Sequence, residues 1–175
     1  MAKTATLTLD DKPFELPIIE GTEGERAIDI SKVRSQTGYI TLDNGLGNTG
    51  ACQSDITFVD GEKGVLRYRG YAIEELAEIS SFIETAYLLI YGELPTAAQL
   101  EHFSSLLNAS SLIHEDMRHF FIAFPKRAHP MAILTAMVAS LSAFYPVPDE
   151  LKPEEEERVI ANIISQVRTI AAFSY

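Results

Sequence analysis

The period of polar and apolar positions changes near residue 70. Ahead of that point the chain alternates. Thr4 to Asp10 interleaves Thr with Ala and Leu, and Lys12-Pro13-Phe14-Glu15-Leu16 resumes after an Asp-Asp turn. A period of two argues strands. Ile56-Thr57-Phe58-Val59 and Val65-Leu66-Arg67-Tyr68-Arg69 flank Asp60-Gly61-Glu62-Lys63-Gly64, a β-hairpin pattern. Tyr39 to Leu42 reads as a further strand. Nine of the ten glycines lie in this part, which disfavours long helices there.

From Tyr71 the period becomes about 3.6. Ile73 to Ile79 predicts a short helix. Ser80 or Ser81 is placed to cap the next one, in which Phe82, Ala86, Leu89 and Ile90 share a face and which Gly92 and Pro95 stop. Thr96 then caps Ala97 to Leu107, with Gln99 as its capping-box partner. Ile113 to Phe124 reads as an amphipathic helix. Pro130 opens a helix over residues 131–145 that is apolar except at Thr135, Ser140 and Ser142. A helix apolar all round is expected to be buried on most sides. Ala132, Ala136, Ala139 and Ala143 form a narrow stripe suited to close approach of another helix. The final helix is expected from about Glu154 to the last residue, its apolar spacing running to Tyr175 with no terminator. That ending predicts a piece of a longer protein. The expected organisation is a β-rich head over residues 1–70 and a helical domain over 71–175.

Composition narrows the partners. The 175 residues carry a formal net charge of -11 at a pI of about 4.7. Such a surface repels phosphate backbones and anionic headgroups, which argues against nucleic acid and membrane partners. The charge is concentrated in Asp149 to Glu157, which holds six acids and reads as a solvated helix start. Cys52 is the only cysteine, so an internal disulfide is excluded. With no secretory signal pattern and no apolar run long enough to span a bilayer, a cytoplasmic protein is expected.

Several motifs invite chemical readings. Gly45-Leu46-Gly47-Asn48-Thr49-Gly50 is a literal G-x-G-x-x-G, but a strand follows it where a dinucleotide site needs a helix. It reads as a surface loop. His114 and His119 are five apart, roughly 140° around a helix, so one metal ion cannot use both. No metal site is expected. His129 precedes Pro130 and Met131 and reads as a polar cap at a helix corner. Arg67 and Arg69 leave one face of a strand, placed to grip carboxylates or to form local ion pairs. Cys52 has no basic neighbour to activate it. The residues alone describe a mostly helical domain with a β-rich head and no nucleophile–base set.

Three runs resemble the bacterial, longer-headed class of citrate synthases. They are Ser54 to Ala77, Glu84 to Pro95, and Ile113-His114-Glu115 followed by Ala128-His129-Pro130-Met131. The resemblance implies a mostly α fold, with citrate synthase-like large-domain helices preceded by a small β-rich head. It implies an enzyme joining acetyl-CoA to oxaloacetate to give citrate and CoA, with no cofactor. In the family an Asp, two His and several Arg act on the substrates, and their places fall beyond Tyr175. No catalytic residue is therefore expected in this chain, and His129-Pro130-Met131 is carried over as a structural motif. The resemblance further implies a homodimer, formed through the helices over residues 131–145 and 154–175. Some relatives bind NADH at a site built from this part of the chain. Here Ala109, Ser110, Ser111 and Leu112 stand for its Arg-His-Thr-Met stretch, and Asn162 and Gln166 replace its Arg and Lys. Tyr145 alone matches, so NADH binding is not expected. Three alternatives stand beside this reading: a 2-methylcitrate synthase using propionyl-CoA, a stand-alone helical interaction module, and a dinucleotide domain based on Gly45 to Gly50.

Overall fold

The computed structural model describes residues 3–175. It falls into two compact units that divide between Ser54 and Asp55. The first unit holds strands β1 (Thr4–Leu9), β2 (Lys12–Glu20) and β3 (Arg26–Ile28) and the short helix α1 (Val33–Thr37). The strands form one antiparallel sheet in the order β1-β2-β3. Asp10 and Asp11 close the first hairpin with φ of 48° and 62°, the left-handed pair a two-residue turn demands. Ala5 lies opposite Leu16 and Leu7 opposite Phe14, so the apolar alternation of both strands falls on one face. Leu16 and Val33 are the buried residues of this unit.

The strand expected at Tyr39 to Leu42 does not form. No strand among the described residues pairs with it, and Ile40 and Leu42 are 72% and 85% exposed. Tyr39 instead donates its hydroxyl to Asp10 Oδ2 at 3.0 Å. Gly45 to Gly50 is a loop, as expected. The Asp43 carboxylate gathers it, accepting from the Asn48 N–H at 2.7 Å and the Thr49 hydroxyl at 2.8 Å. Those bonds hold the Asp43 carboxyl below its ordinary pKa.

The second unit begins with β4 (Thr57–Asp60), β5 (Val65–Tyr68) and β6 (Tyr71–Ala72), an antiparallel sheet in that order. The second hairpin thus belongs to the same compact unit as the helices that follow it. β5 and β6 run directly into helix α2 (Ile73–Ile79) and pack on it. Helices α3 (Phe82–Tyr91), α4 (Ala97–Ala109), α5 (Met117–Ala123), α6 (Pro130–Phe144) and α7 (Pro153–Phe173) follow. The expected Thr96–Gln99 capping box forms, and Ser81 is the residue that caps α3, in a second box with Glu84.

Helix α5 is shorter than the Ile113 to Phe124 periodicity predicts. The Asp116 N–H donates to His114 Nδ1 at 3.2 Å, and the His114 ring lies against Phe144 at 5.2 Å. A side chain competing for a backbone donor in this way delays helix entry. Helix α7 starts at Pro153, where a missing N–H does least harm.

Helix α7 joins two cores. Tyr87, Phe103 and Leu107 pack with Ala161 of α7, while Met117, Met137 and Leu141 pack with its Ile170. Burying each large apolar side chain contributes about 1.5–3 kcal/mol. Helix α6 departs from the expectation of burial on most sides. Met137 and Leu141 are buried, but Ala132, Thr135, Ala136, Ala139, Ser142 and Ala143 are exposed.

Candidate functional site

One open cleft of about 410 Å³ lies in the second unit, lined by the end of α4, Tyr145 after α6, and one face of α7. Helix α7 supplies Arg158, Asn162 and Gln166, four residues apart and therefore on one face. Ala109, Ser110 and Leu112 form the opposite wall. Residues far apart in sequence are thus collected at one place: Ala109, Ser110, Leu112, Tyr145, Asn162 and Gln166 line the same cleft.

The wall is held from below. Three donors on α7 reach carbonyl oxygens of the α4 end and the segment after it. Ser165 donates to Leu107 at 2.7 Å, Gln166 to Leu112 at 3.4 Å and Thr169 to Ser111 at 2.6 Å. The Leu107 carbonyl lies in the last turn of α4 and needs a partner once buried. The sequence reading passed over Ser165 and Thr169. Their signal was two hydroxyls set four apart within an apolar stripe. It also passed over Arg158, the one cation lining the cleft among the described residues.

The chemistry available in this cleft is modest. Gln166 is buried and its amide already donates to Leu112. Arg158 is exposed. Among the described residues no His, Cys, Asp or Glu lines the cleft, so they supply no acid–base pair there.

The remaining candidates separate from one another. His129 caps α6, its Nδ1 accepting the Met131 N–H at 3.2 Å, with Pro130 at the first helical position. Arg67 donates to the Gly70 carbonyl at 3.4 Å. Arg69 does not continue the strand beside it. It sits at φ 49° beyond β5 and donates Nη2 to the Leu89 carbonyl in α3. Its Nε is buried without a hydrogen-bond partner among the described residues. The two guanidiniums thus donate to different carbonyls, one in the turn after β5 and one in α3. Cys52 is exposed. His114 precedes α5 and His119 lies on it. Among the described residues, no three His, Cys, Asp or Glu side chains gather in a way that could hold a metal ion.

A polar cluster joins α3, α4 and α7 elsewhere. Glu157 accepts from the Tyr91 hydroxyl at 3.3 Å and lies 3.3 Å from His102 Nε2. Burial, then the Glu157 charge and its hydrogen bond, push the Tyr91 phenol up to about 12. No described helix is long and apolar enough to cross a membrane.

Comparison with known proteins bears on the whole chain. The family described as citrate synthase, C-terminal domain, matches residues 45–175. Citrate synthase 1 of Mycobacterium tuberculosis (strain CDC 1551 / Oshkosh) is 43% identical over 98% of this chain, which spans 40% of that relative. Citrate synthase from Thermotoga maritima MSB8 superposes with a TM-score of 0.64 at 31% identity, covering 77% of this chain and 34% of that one. The Thermoplasma acidophilum enzyme, solved with carboxymethyl coenzyme A and oxaloacetate, gives 0.70 at 25% identity, covering 77% and 35%. With the mostly helical fold and the family match across three quarters of its length, the chain belongs to the citrate synthase family.

Proposed function

We propose that this chain is the amino-terminal part of an enzyme that condenses acetyl-CoA with oxaloacetate and water to give citrate and CoA. The observation that carries the reading is the 43% identity to citrate synthase 1 along nearly the whole chain. The Thermoplasma neighbour, held with oxaloacetate and a coenzyme A analogue, supports that pair of substrates.

In this reading the chain supplies scaffold and not chemistry. Proton abstraction next to a thioester carbonyl needs a base and a hydrogen-bond donor aimed at one small substrate. The four His do not offer that set. His102 pairs with Glu157 on the surface, His114 and His129 accept backbone N–H groups, and His119 is exposed. The exposed Ala132, Ala136, Ala139 and Ala143 of α6 support a two-fold pairing of α6 and α7 with a second copy.

The test is an assay of CoA release from acetyl-CoA and oxaloacetate. Residues 1–175 alone should show only background. The complete reading frame of the source gene should turn over. Preference of that product for propionyl-CoA would reassign the protein to 2-methylcitrate synthase, and turnover by residues 1–175 would refute the scaffold reading.

A further inference from the structure

The first unit ends in a sheet edge that is unusually open. Ile18 donates its N–H to the Lys3 carbonyl at 2.9 Å, which sets the phase of the β1–β2 ladder. In an antiparallel pair, bonded and non-bonded positions alternate. Ala5, Leu7 and Leu9 therefore bond to β2, while Thr4, Thr6 and Thr8 turn their N–H and C=O groups away from it. Pro17 and Pro13 stand opposite Thr4 and Thr8, at positions where a missing N–H costs this ladder nothing.

Exposed edges are normally blunted by charge, proline, a bulge or shortness. The other edge strand, β3, is blunted twice, with three residues and Arg26 among them. β1 has none of these features. It is Thr-Ala-Thr-Leu-Thr-Leu, uncharged and free of Pro and Gly, and its register with β2 is unbroken over six pairs. The three Thr side chains are exposed, and Ala5, Leu7 and Leu9 are half-buried on the other face.

The pattern is also symmetric about Thr6. We propose that β1 pairs antiparallel with β1 of a second copy of this chain, about a two-fold axis at Thr6, making one sheet continuous across two molecules. Thr6 then lies opposite its counterpart and Thr4 opposite Thr8 of the second copy. Each pair exchanges both bonds of an antiparallel ladder. The exposed face gains Thr–Thr pairs and the other face sets Ala5 against Leu7, both favourable cross-strand contacts. Lys3, whose ammonium is held by Glu20 of its own chain at 2.6 Å, comes opposite Leu9 of the other copy, next to its Asp10-Asp11 turn. This pairing is separate from the one proposed for α6 and α7 and does not depend on it.

Amide hydrogen exchange on the whole chain tests it, with Thr6→Pro and Thr6→Lys as variants. The Thr6 N–H serves no bond to β2, so neither change removes a bond from the internal ladder. Between dilute and concentrated samples, exchange at Thr4, Thr6 and Thr8 should slow at least about tenfold. Both variants should abolish the slowing at Thr4 and Thr8 while Leu7, Phe14 and Leu16 stay protected. Three outcomes would overturn the pairing. The Thr amides exchange fast at every concentration, or they are protected independently of concentration, or their protection survives Thr6→Lys in a folded chain.

Discussion

Arg69 reaches from the turn after β5 to the last turn of α3 and donates Nη2 to the Leu89 carbonyl oxygen at 2.9 Å. A cation at a helix C-terminus meets the negative end of the dipole and satisfies a carbonyl that the helix leaves open. The same residue holds a left-handed φ of 49°, which costs a non-glycine residue roughly 1 kcal/mol or more. Gly92, at φ 91°, ends α3 close by; a Cβ there would stand 4.0 Å from the guanidinium carbon of Arg69.

Arg69→Ala removes this charged hydrogen bond and should lower stability by about 1.5–3 kcal/mol. Thermal or urea unfolding of the chain measures it. A loss too small to detect would mean that water serves the Leu89 carbonyl equally well.

Tyr91 predicts an alkaline transition. Burial first, and then the Glu157 charge, push its phenol up to about 12 from an ordinary value of 10.0. A raised pKa means the folded state holds the proton more tightly, so this contribution is complete below pH 10 and is lost as pH rises from there through about 12. Tyr91→Phe should flatten the fall of stability in that window and remove one late-titrating phenolate from the ultraviolet titration. An unchanged titration curve in the variant would show that Tyr91 is not the shifted group.

The cleft beside Tyr145 should not bind NADH. A dinucleotide brings two phosphates, and Arg158 is the only lining cation among the described residues. Asn162 and Gln166 add no charge, and Gln166 is already bonded to Leu112. Calorimetric titration at neutral pH and moderate salt should give no saturable heat. Micromolar affinity would overturn this reading of the cleft.

The exposed stripe on α6 predicts an oligomer. Ala136→Glu with Ala139→Glu places two charges on a face made of small side chains and, combined with Thr6→Lys to remove the β1 pairing, should yield monomers or insoluble protein. Sedimentation of the unaltered chain should show concentration-dependent association. A chain that remains monomeric at high concentration would refute the pairing through α6 and α7.

Local features were readable from the residues. The cap at Ser81, the Thr96–Gln99 box, the Pro130 helix start and the turn at Asp60-Gly61 each rest on contacts within three or four positions. Such contacts need no distant partner, so spacing alone identifies them. The Gly45 to Gly50 loop was legible for the same reason, because what matters is the strand that follows it. Ala109, Ser110, Tyr145, Asn162 and Gln166 were reached only through resemblance to the family, and nothing in their local spacing marks them as neighbours.

What only the tertiary structure decided involves partners distant in sequence. A strand needs a second strand, and the Tyr39 to Leu42 alternation finds none. Amphipathic spacing continued through Ile113, yet His114 captured the Asp116 N–H and met Phe144 thirty residues away, so α5 began late. The alternation of Arg67 and Arg69 placed both on one face. A left-handed turn at Arg69 and an acceptor in α3 sent the second elsewhere. The apolar character of α6 was evident in its residues, but which side meets α5 and α7 was not. That choice follows from packing Met137 and Leu141 against Met117 and Ile170, which leaves the alanines outside. Composition and period determine which local structures are affordable to the backbone; the geometry of long-range contacts selects among them, because a hydrogen bond or a packed side chain stabilises only where its partner has been brought.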